Sequence, residues 1–368
     1  MQGGSGRGKP AKSFSFFRGH LVILHLLSCK KYDILEIKKM RMKSAYHFGG
    51  TNQMQTPEIS IILPVRNIEN EITGILRSLV LQTAGIEIEI IAVDMGSSDQ
   101  TILRALQFIK EQKLRGFVIQ NGSGSASAAL NTGIQKSCGE YVTFVFARRL
   151  YRDYLRGYLD TARKASANLV FGSMEGDRPL PAGKSRRRPD GALYAAEIIK
   201  GRVHVDVSAL LLRRKFLTDQ QLYFQEDCRN GYAEEFVFRC LLGAGKIARC
   251  PVVLQRARDF ELKRGKTGLI GKDIFQYADA MLRVQTIVET VYGWDKELQE
   301  LFAQEKIPSA VMRGVDIMLR EGNGYNSVRG YLKVAGYDRL LTTGRHTSRE
   351  LKRRIACWRL IPWMYRPK

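Results

Sequence analysis

The sequence of 368 residues has no two cysteines spaced C-x-x-C and no clustered histidines. Its six cysteines, Cys29, Cys138, Cys228, Cys240, Cys250 and Cys357, are scattered, as are the five histidines. That excludes a zinc site and a disulfide framework and leaves free thiols in a reducing compartment. No apolar run is long enough to cross a bilayer. The only N-terminal one, His20–Ser28, is interrupted by His25 and preceded by Arg18. The residues after it, KKYDILEIKKMRMK, read as a basic helix, so an export signal is not expected, and Met54 lies just before the first strong strand. No G-x-G-x-x-G follows that strand, which argues against a dinucleotide fold, and the absence of G-x-x-x-x-G-K-[ST] excludes a P-loop NTPase. Acids are also scarce: 36 Asp and Glu against 59 Lys and Arg, a net charge of +23. The excess is concentrated. Residues 1–56 contribute +8 and residues 345–368 contribute +7, so the body is only mildly basic. Basic arms on an ordinary globule are expected rather than a nucleic-acid groove.

What is present is a core, with 44% hydrophobic residues, and a regular alternation. Ile59–Val65 (ISIILPV) is a continuous apolar run ended by proline, the pattern of a strand covered on both faces. A helix is expected over Glu69–Gln82, with Ile72, Ile75, Leu76, Leu79 and Val80 inward. Glu87–Asp94 reads as a second strand. Ser97-Ser-Asp-Gln100 resembles a capping box that opens a helix burying Ile102, Leu103, Leu106 and Ile109. Phe117–Gln120 and Tyr141–Phe146 are further strands, with a helix between them after the small-residue run GSGSASAALNTG. This spacing implies βαβ units and a mainly parallel sheet, with ligands at the carboxyl ends of the strands. Beyond residue 150 a helix is expected over Tyr151–Ala167 and a strand over Asn168–Met174. The loop Glu175–Asp190 carries Lys184, Arg186, Arg187 and Arg188, read either as a solvated cluster or as a flexible lid over phosphates. Further elements are expected over Ala192–Lys200, Val203–Leu212 and Tyr232–Gly243, then several amphipathic helices over 267–342.

The blocks SIILPVRN, VDMGSSDQT, NGSGSASAALNTG and GEYVTF, in this order and spacing, resemble family 2 glycosyltransferases of the GT-A fold, from about Pro57 to Arg258. The resemblance implies an α/β GT-A nucleotide-sugar-binding domain over 57–260, between a basic extension (1–56) and a helical C-terminal region (261–344) with a basic, aromatic tail (345–368). It implies transfer of a sugar from a nucleotide-diphosphate donor to a glycan or lipid-linked acceptor, with inversion. Pro64, Val65 and Asn67 would line the nucleotide pocket. Asp94 would meet the base, where a carboxylate can accept from an imide N–H. Asn131 matches the asparagine of A-R-N-x-G. The metal motif D-x-D falls on Phe146, Ala147 and Arg148, with Arg149 next. GYAEEFVFRCLLGAGKIA resembles the segment bearing the catalytic base, placing Glu234 and Glu235 at the acidic pair and Glu235 at the base.

The departures bear on the chemistry. Met95 replaces the second acid of D-D-G-S, and Leu130 replaces an arginine. A divalent cation is usual in the family, yet its motif holds no acid here. Three readings of Arg148 and Arg149 remain open. They offset the diphosphate charge themselves; they mark a decayed site in a binding or scaffold protein; or they begin the next helix and face solvent. The tail, with Leu351, Ile355, Trp358, Leu360, Trp363 and Tyr365 among basic residues, suits an anionic membrane surface and a peripheral cytoplasmic location, the alternative being a terminal helix packed on the domain.

Overall fold

The computed structural model describes residues 56–122, 124–178, 188–257, 268–269 and 271–367. The N-terminal extension and the loop cations Lys184, Arg186 and Arg187 lie outside the described residues. The described residues from Thr56 onward belong to one compact unit.

β1 (Ile59–Val65) is buried along its whole length. β2 (Ile88–Asp94) runs parallel to it, with Ile59 opposite Ile88 and Val65 opposite Asp94. β3 (Gly116–Gln120) extends the sheet beyond β2, and β4 (Tyr141–Phe144) flanks β1 on its other side, both parallel. α1 (Ile72–Gln82), α2 (Thr101–Glu111) and α3 (Ala126–Lys136) make the crossovers. β5 (Tyr151–Arg152) leaves this sheet and α4 (Leu155–Ala165) follows. β6 (Leu169–Ser173), β7 (Leu210–Arg213) and β8 (Ile247–Val253) complete the order β3-β2-β1-β4-β7-β6-β8, in which β7 runs opposite to the rest. β9 (Gln255–Arg256) pairs antiparallel with β5.

Alternation along β1 sends Ile59, Ile61, Leu63 and Val65 to a core shared with α1 and α4. Ile62 faces the opposite core, which holds α3 and the aromatic residues Phe144, Phe224 and Phe236. There the helix comes very close: a Cβ on Gly133 of α3 would sit 2.3 Å from a methyl of Ile62. α5 (Asp190–Ile199), α6 (Arg214–Asp219) and α7 (Tyr232–Gly243) lie within this second half. The chain ends in α8 (Gln276–Val291), α9 (Lys296–Leu301), α10 (Ile307–Arg320), α11 (Tyr325–Val334) and α12 (Arg349–Leu360). These helices share one apolar core with α5 and with Phe238 and Leu242 of α7.

Some expectations need correction. Ser97 does not cap α2. Gln100 is the N-cap residue and makes no side-chain cap, while Asp99 Oδ1 accepts from the first helical amide, that of Thr101, at 3.0 Å. The buried stripe of α2 is Thr101, Ala105, Phe108 and Ile109, while Leu103 and Leu106 are exposed. An alternative i, i+4, i+7 stripe wins because Phe108 supplies the bulk that Leu103 was expected to provide. No helix starts at Tyr151. That residue is buried in the two-stranded ribbon with β9, a partner more than 100 residues away that local periodicity cannot reveal. Arg188 is not solvated, since it pairs with Asp295 at 2.5 Å and Glu297 at 3.1 Å.

Candidate donor site

The carboxyl ends of β1, β2 and β3 open onto one edge of the sheet, and the loops there are tied together. The Asn67 amide donates to Ser97 Oγ at 3.0 Å, and the Ser98 amide donates to Asn67 Oδ1 at 2.8 Å. Asn67 adopts φ +49°, a left-handed conformation that asparagine tolerates better than most residues. The Ile68 amide donates to Thr101 Oγ1 at 2.8 Å and the Glu69 amide to Asp99 Oδ2 at 3.1 Å. Burial raises the Asp99 pKa, but hydrogen bonds from the Thr101 hydroxyl and amide and the Glu69 amide together outweigh it and hold the carboxyl below its ordinary value.

Asp94 lies almost fully buried at the tip of β2. Its carboxylate accepts from the amides of Gly96, at 3.0 Å, and Ser97, at 3.1 and 3.2 Å, so it closes its own turn. Pro64 and Val65 are buried in β1, Val65 within the core. Asn131 is likewise buried and engaged. Its Nδ2 donates to the Phe224 carbonyl at 2.9 Å and Glu226 Oε1 at 3.0 Å, and its Oδ1 accepts from the Phe224 amide at 2.8 Å. Asn131 thus pins the segment Phe224–Glu226 against α3. Stacking of Phe224 on Phe236, at 3.8 Å, and the edge of Phe144 against both rings fix that segment at the end of β4.

A cleft of about 1100 Å³ lies beside these loops. It is bordered by Arg66 at the end of β1, Gly124–Ser127 at the start of α3, Glu226–Arg229, Tyr232 at the start of α7, and Lys272, Asp273, Gln276 and Asp279 from the helical region. Gln276 braces it. Its Oε1 accepts from the Arg229 amide at 2.7 Å, and its Nε2 donates to the Asp227 carbonyl at 3.0 Å and Asp273 Oδ1 at 3.2 Å. Arg229 pairs with Asp273 at 3.1 Å. The Asp227 carboxylate is exposed and has no partner among the described residues.

Phe146–Arg149 form a tight turn closed by the Arg149 amide donating to the Phe146 carbonyl at 2.8 Å. Phe146 packs among the aromatic residues of the second core and Ala147 against the first. Arg149 meets Asp206 at 3.3 Å, beside the Tyr151 hydroxyl, which donates to the same carboxylate oxygen at 2.9 Å. Arg148 is exposed and has no partner among the described residues. The arginines therefore do not begin a helix. Burial raises the Tyr232 pKa, and the Arg149 charge opposes that rise.

The acidic pair is held apart from the cleft. Arg283 of α8 donates to Glu235 through Nε, at 2.8 Å to Oε1, and Nη2, at 2.7 Å to Oε2. Glu234 accepts from the Tyr277 hydroxyl and the Lys306 ammonium, and Lys306 also donates to the Tyr277 hydroxyl at 3.0 Å. Burial raises the Glu234 pKa, but the Lys306 charge and the hydrogen bonds from Lys306 and Tyr277 bring it below its ordinary value. Gly231, at φ +96°, sets the entry to α7, and a Cβ there would lie 2.7 Å from the Tyr277 ring.

Whether these residues could hold the family's divalent cation is decided by their chemistry. The three positions of the metal motif carry a phenyl ring, a methyl and a guanidinium, none a hard oxygen ligand. Among the described residues no group of three or more His, Cys, Asp or Glu is gathered to bind an ion. These three positions do not fit the metal.

Sequence reasoning missed Arg66, Asp227, Tyr232 and the Asp273–Gln276 brace. The QED run before α7 was a local signal for Asp227. Gln276 had none, because it reaches the cleft only through packing of the C-terminal helices.

A seven-stranded sheet of this order, with tied loops and a cleft at its carboxyl edge, defines a GT-A nucleotide-sugar-binding domain. Residues 60–146, β1 through the end of β4, match the profile of Glycosyl transferase family 2. That segment is similar to family 2 glycosyltransferases. It is 25% identical over 218 residues to the poly(ribitol-phosphate) beta-N-acetylglucosaminyltransferase TarS of Staphylococcus aureus, covering 56% of this chain and 36% of that one. It is 29% identical over 197 residues to the uncharacterized glycosyltransferase EpsJ of Bacillus subtilis, covering 50% and 55%. The chain thus spans about a third to half the length of these relatives. The structure of S. aureus TarS residues 1–349 in complex with UDP-GlcNAc superposes with a TM-score of 0.54 at 16% identity, over 82% of this chain and 87% of that one.

Proposed function

We propose that the chain transfers a hexose-type sugar from a nucleotide-diphosphate donor to a glycan or lipid-linked acceptor with inversion and without a divalent cation. The observation that supports this reading is the family-matched segment itself. Its first strand delivers Arg66 to the border of the cleft, and Asn67 and the loop Gly96–Asp99 are tied together at the same sheet edge, with the turn that carries Arg148 following the segment directly. The TarS structure, solved with UDP-GlcNAc, supports a uridine donor here. Asp94 and the Pro64–Asn67 loop would shape the base pocket, Asp94 by fixing the turn that follows it. Arg148, exposed and without a partner among the described residues, would meet the diphosphate. A guanidinium can bind two phosphate oxygens and offset the charge that grows as the sugar leaves.

In the reaction the acceptor hydroxyl attacks the anomeric carbon. The bond from that carbon to the diphosphate oxygen breaks, its electron pair goes to the leaving diphosphate, and the hydroxyl proton goes to a carboxylate. Glu235 was expected in that role, but both its oxygens are bound by Arg283. Asp227 supports the role better: its carboxylate stands on the cleft wall without a partner among the described residues.

A donor panel tests this. Thermal unfolding with UDP-, GDP- and TDP-sugars in chelator should show one class of donor raising the midpoint. Turnover of that donor with an oligosaccharide or lipid-linked acceptor should give the inverted linkage. Donor stabilisation without any turnover would favour a binding protein, a reading that the engaged Glu235 also supports. A peripheral cytoplasmic location would place the cleft near lipid-linked acceptors; among the described residues no helix is long and apolar enough to cross a membrane.

A further inference from the structure

The tail helix is amphipathic, but its apolar face is not free. Leu351, Ile355 and Trp358 are buried in the core of the helical region. The turn after it is anchored too: Pro362 and Tyr365 are buried, Tyr365 donates its hydroxyl to Asp316 Oδ1 at 2.6 Å, and Arg354 meets Asp316 Oδ2 at 2.6 Å. What remains outward is the opposite face. Arg349, Arg353, Ala356 and Leu360 recur at helical spacing on one side of α12, flanked by Lys352 and Arg359, and all six are exposed. Leu360 is 75% exposed, Trp363 63% and Met364 60%, so the basic face ends in an apolar tip, with Arg366 just beyond.

The charges on this face are unbalanced. Arg349, Lys352, Arg353, Arg359 and Arg366 have no acidic partner among the described residues, whereas Arg345 and Arg354 do. Glu350, the acid of this helix, lies a quarter turn beyond the buried stripe, off the exposed basic face, and has its own interaction.

We infer that this rigid tip is a membrane-docking surface, in which Leu360, Trp363 and Met364 enter the headgroup region of an anionic bilayer and the five cations lie over its phosphates. Five unpaired cations complement an anionic surface, and each near the headgroups is expected to strengthen binding several-fold. Tryptophan, methionine and leucine exposed together are costly in water and favoured at an interface. A nucleic acid would satisfy the cations but would leave the apolar tip unexplained. Because Pro362 and Tyr365 hold the turn, docking requires no folding of the segment. The inference rests on the peripheral location proposed above and not on the transfer chemistry.

The test uses the full chain with phosphatidylcholine vesicles, with and without about 30% phosphatidylglycerol, by co-sedimentation and tryptophan fluorescence. Binding is expected only to the anionic vesicles, weakening with salt. The pair Trp363→Ala with Met364→Ala, and separately Arg353→Glu with Arg359→Glu, should each lower affinity about tenfold or more, with the unfolding midpoint and turnover on a soluble acceptor unchanged. If the full chain binds no vesicle, the peripheral location falls together with the surface. If it binds and both variant pairs bind as well as the parent, the surface assignment alone is overturned. Equal binding to neutral vesicles, or tighter binding to single-stranded RNA than to vesicles, also overturns it.

Discussion

Arg283 of α8 holds both carboxylate oxygens of Glu235 in α7, at 2.8 and 2.7 Å. This contact joins the helical region to the helix that carries the acidic pair and engages Glu235, whereas the Asp227 carboxylate on the cleft wall has no partner among the described residues. The two acids should therefore respond differently. Arg283→Ala leaves a buried carboxylate unpaired and is expected to destabilise the fold by about 3–5 kcal/mol. Asp227→Asn should leave the unfolding midpoint unchanged and lower turnover by about 10²–10⁴-fold with donor affinity retained. Chemical denaturation and initial-rate kinetics separate the outcomes. A Glu235→Gln variant that folds normally yet loses all turnover would return the base role to Glu235.

The cluster of Glu234, Tyr277 and Lys306 should set a stability window in pH. The folded pKa of Glu234 lies below its ordinary 4.5, so its contribution is present above that value and is lost as pH falls through the folded one. Lys306 is raised above its ordinary 10.5: burial lowers it, and the Glu234 charge more than compensates. Its contribution is present below 10.5 and is lost as pH rises through the folded value. Between those limits Lys306→Met is expected to cost about 1–2 kcal/mol, since it leaves a half-buried acid without its cation, partly screened by solvent. Lys306→Met combined with Glu234→Gln should recover much of that loss and flatten the acid limb of the stability curve.

Two tryptophans five positions apart should behave oppositely. Trp358 is fully buried in the helical core, and Trp358→Ala is expected to cost about 3–5 kcal/mol. Trp363 is 63% exposed, and Trp363→Ala should change stability by about 0.5 kcal/mol or less. Urea unfolding of both variants checks this.

The sheet was readable in the sequence because each of its first four strands is short, apolar and bounded by turn residues. Ile59–Val65 is the clearest case: its burial on both faces follows from the absence of any polar alternation. Block order then disclosed the family resemblance. Pairings made across long distances were not readable. Tyr151 joined a strand rather than a helix because β9 reaches it from beyond residue 254. Glu235 was legible as an acid at a helix start but not as a residue already bound, because Arg283 lies 48 residues further on and carries no local sign of its partner. Asn131 matched a donor-site position, yet its three hydrogen bonds go to Phe224 and Glu226, so any part it has in donor binding is through the loop it fixes. The tail pattern was correctly seen as amphipathic, but periodicity does not say which face a core will claim.

The most direct measurement is donor binding by calorimetry in chelator, with the parent chain and Arg148→Ala. The nucleotide-diphosphate sugar should bind the parent with no divalent cation present, and Arg148→Ala should weaken it about tenfold or more, as expected for loss of a charge-assisted contact to phosphate. Binding that appears only when Mn²⁺ or Mg²⁺ is added, or that is the same in Arg148→Ala, would contradict the proposal that this guanidinium stands in for the metal.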